Sequence, residues 1–241
     1  MVRVFIFIFF GVVFSVSYAQ AQSPVRTTKA TDYQQSFLVN PHYNKMAREA
    51  LKDKPKRFGF MRFRSLYSRT RQYDPIGENT LKSLNNLAYI VFNEQDPDRI
   101  KTALFGYQSI VSDHLAHLGV VMQALSLARE DRRFGNPSFF EWVKEGIIRT
   151  VVISGDGFTL QGAYDVITLE EETVLFHRLG IKPVESRAVK EGFIYYNMHD
   201  VEEVGTKAKR AVFVNTTIPM KYLEALSQEQ DKLKTKIIRK Q

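Results

Sequence analysis

Ser154-Gly155-Asp156-Gly157 marks the point at which the hydrophobic pattern of the chain changes. Two glycines around an aspartate, followed by Gly162, are typical of a loop rather than a helix. Before this stretch apolar residues recur at helical spacing, and after it short β-rich runs predominate. The sequence therefore predicts an α+β fold, with N-terminal helical hairpins followed by a small antiparallel sheet with flanking helices.

The front half, residues 58–153, is predicted to hold four amphipathic helices that form two antiparallel pairs. Asp96-Pro97 and Asn136-Pro137 predict two helix starts, because proline at the first helical position gives up no hydrogen bond. The predicted apolar faces contain Leu84, Leu87 and Val91; Ile100, Leu104, Tyr107 and Val111; Leu118, Val121 and Leu125; and Phe140, Val143, Ile147 and Val151. The pairs repeat at an offset of 34 to 36 residues, so a tetratricopeptide-like stack is the alternative to a compact bundle.

The back half, residues 154–228, is predicted to hold strands at 163–167, 184–189, 193–201 and 210–215. Thr168-x-x-Glu171 predicts a capping box at the start of a helix that Gly180 ends. Three strands in close succession predict an antiparallel meander, and Thr217 opens a last helix. Residues 229–241 form a charged tail.

The N-terminus has the pattern of a secretory signal peptide, residues 1–21. Arg3 precedes an uncharged apolar run from 4 to 16, and cleavage is predicted after Ala21 or Ala19. An uncleaved membrane anchor is the alternative, but the run is shorter than a membrane span needs. The mature chain is expected to lack a transmembrane helix and to be periplasmic or extracellular. Residues 22–57 are predicted to form a flexible leader and a short basic helix that begins at Pro41.

The composition excludes several kinds of chemistry. The chain has no cysteine, which excludes disulfides, thiol catalysis and cysteine-based zinc sites. It lacks the common motifs of serine hydrolases, zinc proteases and phosphate-binding loops. No cofactor and no metal are therefore predicted, and catalytic residues remain unassigned.

The net charge of +8 is concentrated in one segment. Its candidate anion-binding residues are Lys56, Arg57, Arg62, Arg64, Arg69 and Arg71. Four aromatic residues alternate with them: Phe58, Phe60, Phe63 and Tyr67. This mixture is also how single-stranded nucleic acid is bound, but an exported protein is expected to meet anionic lipid headgroups or acidic glycans instead. In the alternative interpretation the aromatic side chains pack in the core while the arginines face water.

Other ionisable residues are weaker candidates for metal binding or catalysis. His114 and His117, beside Asp113, are spaced to face one metal ion from a helix, although surface histidines are the alternative. Three successive carboxylates at 170–172 suggest a glycosidase, but acidic residues also favour a helix N-terminus. Asp156 between two glycines is explained by a turn.

Seven short segments between residues 58 and 226 form a recognisable set. They are FRSLYSRTRQYDP (63–75), GDGF (155–158), AYDVI (163–167), EE (171–172), LGIKP (179–183), FVN (213–215) and IPMKYL (218–223). The set resembles a family of bacterial secreted or periplasmic proteins classed as a domain of unknown function. The resemblance implies a signal peptide, a helical front half and an α+β back half, and no known activity.

These features favour a non-catalytic binding or scaffold protein of the periplasm or cell envelope. Its partner is expected to be an unknown protein or an anionic envelope component. One alternative is an envelope hydrolase in which folding brings together carboxylates such as Asp156, Asp165 and Glu171. The other is a peripheral binder of anionic membrane or glycan, acting through residues 45–71.

Overall fold

The computed structural model describes the backbone of residues 41–238 and the side chains of residues 41–229. The predicted signal peptide, the leader up to residue 40 and the last three residues lie outside the described residues. Within 41–238 the chain forms eight α-helices and a four-stranded sheet, with the helices in the front half and the sheet behind. This is the predicted α+β class.

The helices and strands follow the predicted order, except that the basic segment forms one further helix, which was not predicted. The helices are α1 (Pro41–Lys52), α2 (Phe60–Tyr67), α3 (Glu78–Asn93), α4 (Pro97–Asp113), α5 (Leu118–Glu130), α6 (Pro137–Val152), α7 (Glu170–Leu179) and α8 (Thr217–Ile238). A 3₁₀ turn, Arg132–Phe134, lies between α5 and α6. The strands are β1 (Tyr164–Asp165), β2 (Ile181–Glu191), β3 (Ile194–Glu203) and β4 (Lys209–Asn215).

The predicted helix starts at Pro97 and Pro137 are confirmed. The Asp96 side chain accepts a hydrogen bond from the Asp98 N–H, and the Asn136 side chain accepts one from the Ser138 N–H. Each cap satisfies a backbone donor that has no partner inside its helix. α3 packs against α4 and α5 packs against α6, so the two predicted hairpins form, and α3 also contacts α5.

The helical core begins earlier than residue 58. Tyr43, Ala47 and Ala50 of α1 are fully buried, and the Tyr43 ring stacks on Phe63 with ring centroids 5.0 Å apart. The short basic helix therefore belongs to the core rather than to a leader. A second, smaller apolar cluster, which includes Leu175 and Val212, lies between α7 and the sheet.

The sheet has the strand order β1-β4-β3-β2. β2, β3 and β4 form the predicted antiparallel meander. The sheet differs from the expectation in one strand, because β1 pairs parallel with β4, with Tyr164 opposite Val214. Parallel strands need a crossover connection, and α7 with the β2–β3 hairpin supplies it. The eleven residues of β2 form the outer edge of the sheet.

The last helix is longer than predicted, since its backbone remains helical to Ile238 and enters the predicted charged tail. None of the helices within residues 41–238 combines the length and apolar character that a membrane span requires.

Gly180 ends α7 in the left-handed conformation, with φ of 65°, and a Cβ added there meets no atom within 4 Å. We therefore expect Gly180→Ala to lower the free energy of unfolding by about 1 kcal/mol, through backbone strain alone. Urea titration of both proteins measures this difference.

Gly205→Ala is the matched control, because Gly205 is equally open but has no positive φ. Equal unfolding midpoints for the two variants would show that the conformation of Gly180 contributes nothing.

Candidate functional site

The basic segment has an inner side and an outer side. Phe63 and Tyr67 of α2 have no exposed surface, and they anchor the segment on the helical core. The outer side carries five of the six predicted anion-binding residues, which are all exposed: Lys56, Arg57, Arg62, Arg69 and Arg71. The structure thus has the arrangement of the second interpretation, with aromatic side chains packed in the core and basic side chains facing water, while anion binding stays a prediction.

These five side chains lack an ion-pair partner among the described residues, as several other lysines and arginines do, but they lie together within residues 56–71. Ten other described lysines and arginines lie within 4.0 Å of a carboxylate, namely Lys45, Arg64, Arg99, Arg129, Arg133, Lys144, Arg178, Lys190, Lys207 and Arg210. Among the side chains of residues 41–229, none of the five has such a partner. The outer side of the segment thus presents positive charge that the described part of the protein leaves uncompensated.

The prediction for Arg64 is wrong. Arg64 is only 4% exposed, and its Nη2 lies 2.6 Å from Oε2 of the buried Glu171. Arg64 is adjacent to Phe63 on the inner side of α2, so its anion is a carboxylate of the same chain.

Each of the three nitrogens of the Arg64 guanidinium donates a hydrogen bond. Its Nε donates to Glu171 Oε1 at 3.2 Å, Nη1 donates to Thr150 Oγ1 at 3.2 Å, and Nη2 donates to the Asp165 carbonyl at 3.2 Å. Buried charges are stable only when paired and hydrogen-bonded in this way. The arrangement joins α2 and α6 of the helical half to β1 and α7 of the back half.

The three carboxylates at 170–172 each face a different partner. Glu171 binds Arg64, Glu172 accepts a hydrogen bond from Asn197 Nδ2 at 2.7 Å, and Glu170 faces His117. The predicted capping box does not form, because Glu171 Oε2 accepts from the Ile167 N–H and from Arg64. The three carboxylates therefore connect the helices to the sheet. The interpretation that acidic residues only favour a helix N-terminus does not account for these contacts.

The structure does not assemble the carboxylates suggested for a hydrolase. Asp156 is exposed and accepts a hydrogen bond from the Phe158 N–H in its own loop. Asp165 is exposed and accepts from Asn215 Nδ2. Glu171 is 1% exposed, so a substrate cannot reach it while Arg64 holds it.

The two histidines do not share a helix face. His114 ends α4 and its Nδ1 is 2.9 Å from the Tyr67 hydroxyl, whereas His117 caps α5 through its own Nδ1. Within the described residues, no group of three or more histidine, aspartate or glutamate side chains is arranged to hold a metal ion. His114 thus contacts Tyr67 of α2, whereas His117 accepts a hydrogen bond within its own helix start.

His117 and Glu170 form a buried pair with altered titration. His117 Nε2 lies 3.7 Å from Glu170 Oε2, beyond hydrogen-bond distance. Burial lowers the pKa of His117 to about 4 and raises the pKa of Glu170 to about 7. Burial thus disfavours the charged form of each group.

Sequence reasoning missed the partners of these carboxylates. Asn197 and His199 lie 25 and 27 residues from Glu172, and His199 Nε2 is 3.1 Å from Glu172 Oε2. Thr150, which accepts a hydrogen bond from Arg64, is 86 residues from that arginine. No local pattern marks them, since the sheet and the packing of α6 bring them into place.

Comparisons of the chain with protein-family models, with curated proteins and with solved structures found no match. The resemblance to a bacterial exported family therefore stays a prediction.

Arg64→Met should lower the free energy of unfolding by about 3–5 kcal/mol, because it leaves the Glu171 carboxylate buried without its partner. Arg62→Met, at the exposed neighbour, should change it by less than about 0.5 kcal/mol. Chemical denaturation of both variants measures the difference.

The double variant Arg64→Met/Glu171→Leu should recover much of the lost stability, since no unpaired charge remains. A loss at Arg64 as small as that at Arg62 would contradict a structural role for the ion pair.

The stability of Glu170→Gln relative to the wild type should depend on pH. Because folding raises the pKa of Glu170 from 4.5 to about 7, its stabilising effect is present below pH 4.5 and is lost as pH rises through 7. His117 has the opposite trend, with stability lost as pH falls from 6.5 towards 4. Glutamine removes only the effect of Glu170, so the variant should gain roughly 3 kcal/mol on the wild type between pH 4.5 and 8.

Unfolding curves recorded every half pH unit test this expectation. Glu130→Gln, at an exposed site, controls for the change in net charge. A difference between Glu170→Gln and the wild type that stays constant across the range would refute the assignment.

Proposed function

We propose that this chain is an exported, non-catalytic binding or scaffold protein of the periplasm or cell envelope. It contacts an anionic envelope component through Lys56, Arg57, Arg62, Arg69 and Arg71. The observation that carries the proposal is that five exposed basic side chains without a carboxylate partner among the described residues are grouped within residues 56–71. The secretory pattern of residues 1–21 supports the location.

The segment suits binding because it is anchored. The Phe58 ring contacts Phe60, Phe63 and Trp142 with centroids 4.7 to 5.4 Å apart, so the backbone that carries the arginines is fixed by aromatic packing. A partner then orders only the basic side chains and not the backbone beneath them. Attraction between exposed charges is screened by salt, which gives the interaction a recognisable signature.

Other features support binding over catalysis. Glu171 and Glu172 are committed to partners inside the protein, and Asp156 and Asp165 accept hydrogen bonds from neighbouring groups. Peripheral attachment to anionic lipid would use the same basic surface, so it is one form of the proposed function.

Replacing Arg57, Arg62, Arg69 and Arg71 by glutamine should weaken capture of an envelope component by at least about tenfold, because near an anionic surface each charge contributes about 1 kcal/mol. Pull-down from an envelope extract at low and high salt measures the capture. Arg64 is left unchanged, because its loss is expected to destabilise the protein.

The matched control replaces Lys82, Lys101, Arg132 and Lys182, which are also exposed and without a carboxylate within 4.0 Å in the described part of the chain. It removes the same charge elsewhere and should retain the partner. Capture that is equally reduced in both variants, or unaffected by salt, would reject this surface. Vesicles containing phosphatidylglycerol, assayed in parallel, show whether lipid is the component.

A further inference from the structure

A groove of about 640 Å³ lies where the end of α1 meets α4 and the start of α6. This volume is in the range of pockets that hold small molecules. The groove is separate from the exposed face of α2, although the chain passes from one to the other between Lys54 and Phe60.

The walls of the groove are mainly apolar. Val111 of α4 and Phe139 and Phe140 of α6 form much of it, together with Phe134 of the 3₁₀ turn. Leu51 stands at its edge with 44% of its surface exposed. An apolar ligand surface placed here would leave water and gain about 25 cal/mol per Å² buried.

One polar group in the groove lacks a partner. Tyr107 lines it and is 1% exposed, yet its hydroxyl has no hydrogen-bond partner in the described part of the chain. Buried hydroxyl groups are nearly always hydrogen-bonded, because leaving one unpaired is costly. Burial raises the pKa of Tyr107, so the phenol keeps its proton and can donate to a ligand oxygen.

The charge at the groove is positive. Lys52 and Lys54 line it, with Asp53 between them, and neither lysine lies within 4.0 Å of a carboxylate among the described residues. Asn136, which caps α6, brings the positive end of that helix to the same groove. Two cationic side chains and the positive end of a helix therefore outweigh the single carboxylate of Asp53, and the net charge at the groove is positive.

We propose that this groove binds a small organic anion with an apolar body, of the kind that a medium-chain fatty acid represents. Lys52 and Lys54 supply the counter-charge, the Tyr107 hydroxyl supplies a hydrogen-bond donor, and the aromatic walls contact the apolar body. This site is additional to the basic surface of the proposed function and does not depend on it.

Decanoate is the probe, with decan-1-ol for the same body without charge and inorganic phosphate for charge without the body. Amide chemical shifts of the purified protein should move at Leu51, Gln108 and Asn136 on titration with decanoate. Decan-1-ol should bind at least tenfold more weakly, and phosphate should leave these shifts unchanged.

Leu51→Glu places a carboxylate at the edge of the groove and should weaken decanoate binding at least tenfold. Val184→Glu makes the same change at an exposed site on β2 and should have no effect. Tyr107→Phe should weaken binding roughly fivefold, as expected for one hydrogen bond. Replacing Lys52 and Lys54 by glutamine should weaken the binding of decanoate but not the binding of decan-1-ol.

The proposal is overturned if decanoate does not bind, whether the groove stays empty or another segment of the chain fills it. Equal affinity for decanoate and decan-1-ol, or equal effects of Leu51→Glu and Val184→Glu, would also overturn it. The variant lacking Arg57, Arg62, Arg69 and Arg71 should still bind decanoate, so failure of the surface proposal is distinguishable from failure of this one.

Discussion

The buried pair of Arg64 and Glu171 is the interaction on which the arrangement of the two halves depends. The two residues are 107 positions apart, and neither charge is tolerable in the interior without the other. The guanidinium also holds the Thr150 hydroxyl and the Asp165 carbonyl, so α6 and β1 are fixed by the same group. Apolar contacts are not directional, so helices and sheet held by them alone could shift slightly against each other. The hydrogen bonds of Arg64 are directional and restrict the relative position of helices and sheet.

The carboxylates beside Glu171 extend this constraint in two directions. Glu170 faces His117 of α5 across 3.7 Å, and Glu172 binds Asn197 of β3. One helical turn therefore contacts the front bundle on one side and the sheet on the other. The contacts have different electrical character, because the Glu171 pair is ionic while burial favours the neutral forms of Glu170 and His117. Three successive glutamates thus have separate structural roles.

Much of the fold was accessible from sequence because its signals are local. Pro97, Pro137 and Gly180 mark helix ends through backbone chemistry that needs no partner, and the meander follows from three closely spaced runs. The parallel pairing of Tyr164 with Val214 was not accessible, since the two residues are 50 positions apart. Arg64 likewise has the same local pattern as Arg62, and only the fold shows which faces inward. The groove at Tyr107 combines three distant segments, so no motif predicts it.

The outer edge of β2 has a consequence for solubility. An edge strand of eleven residues, paired on one side only within the described residues, is a template on which other chains can add strands. Five of its residues are charged (Lys182, Glu185, Arg187, Lys190 and Glu191), and Pro183 gives up a backbone donor beside an irregularity in the pairing with β3. A second edge of the same sequence would bring some like charges together and would lack a hydrogen bond at each proline. The charges and the proline therefore disfavour the addition of a second copy of the strand at this edge.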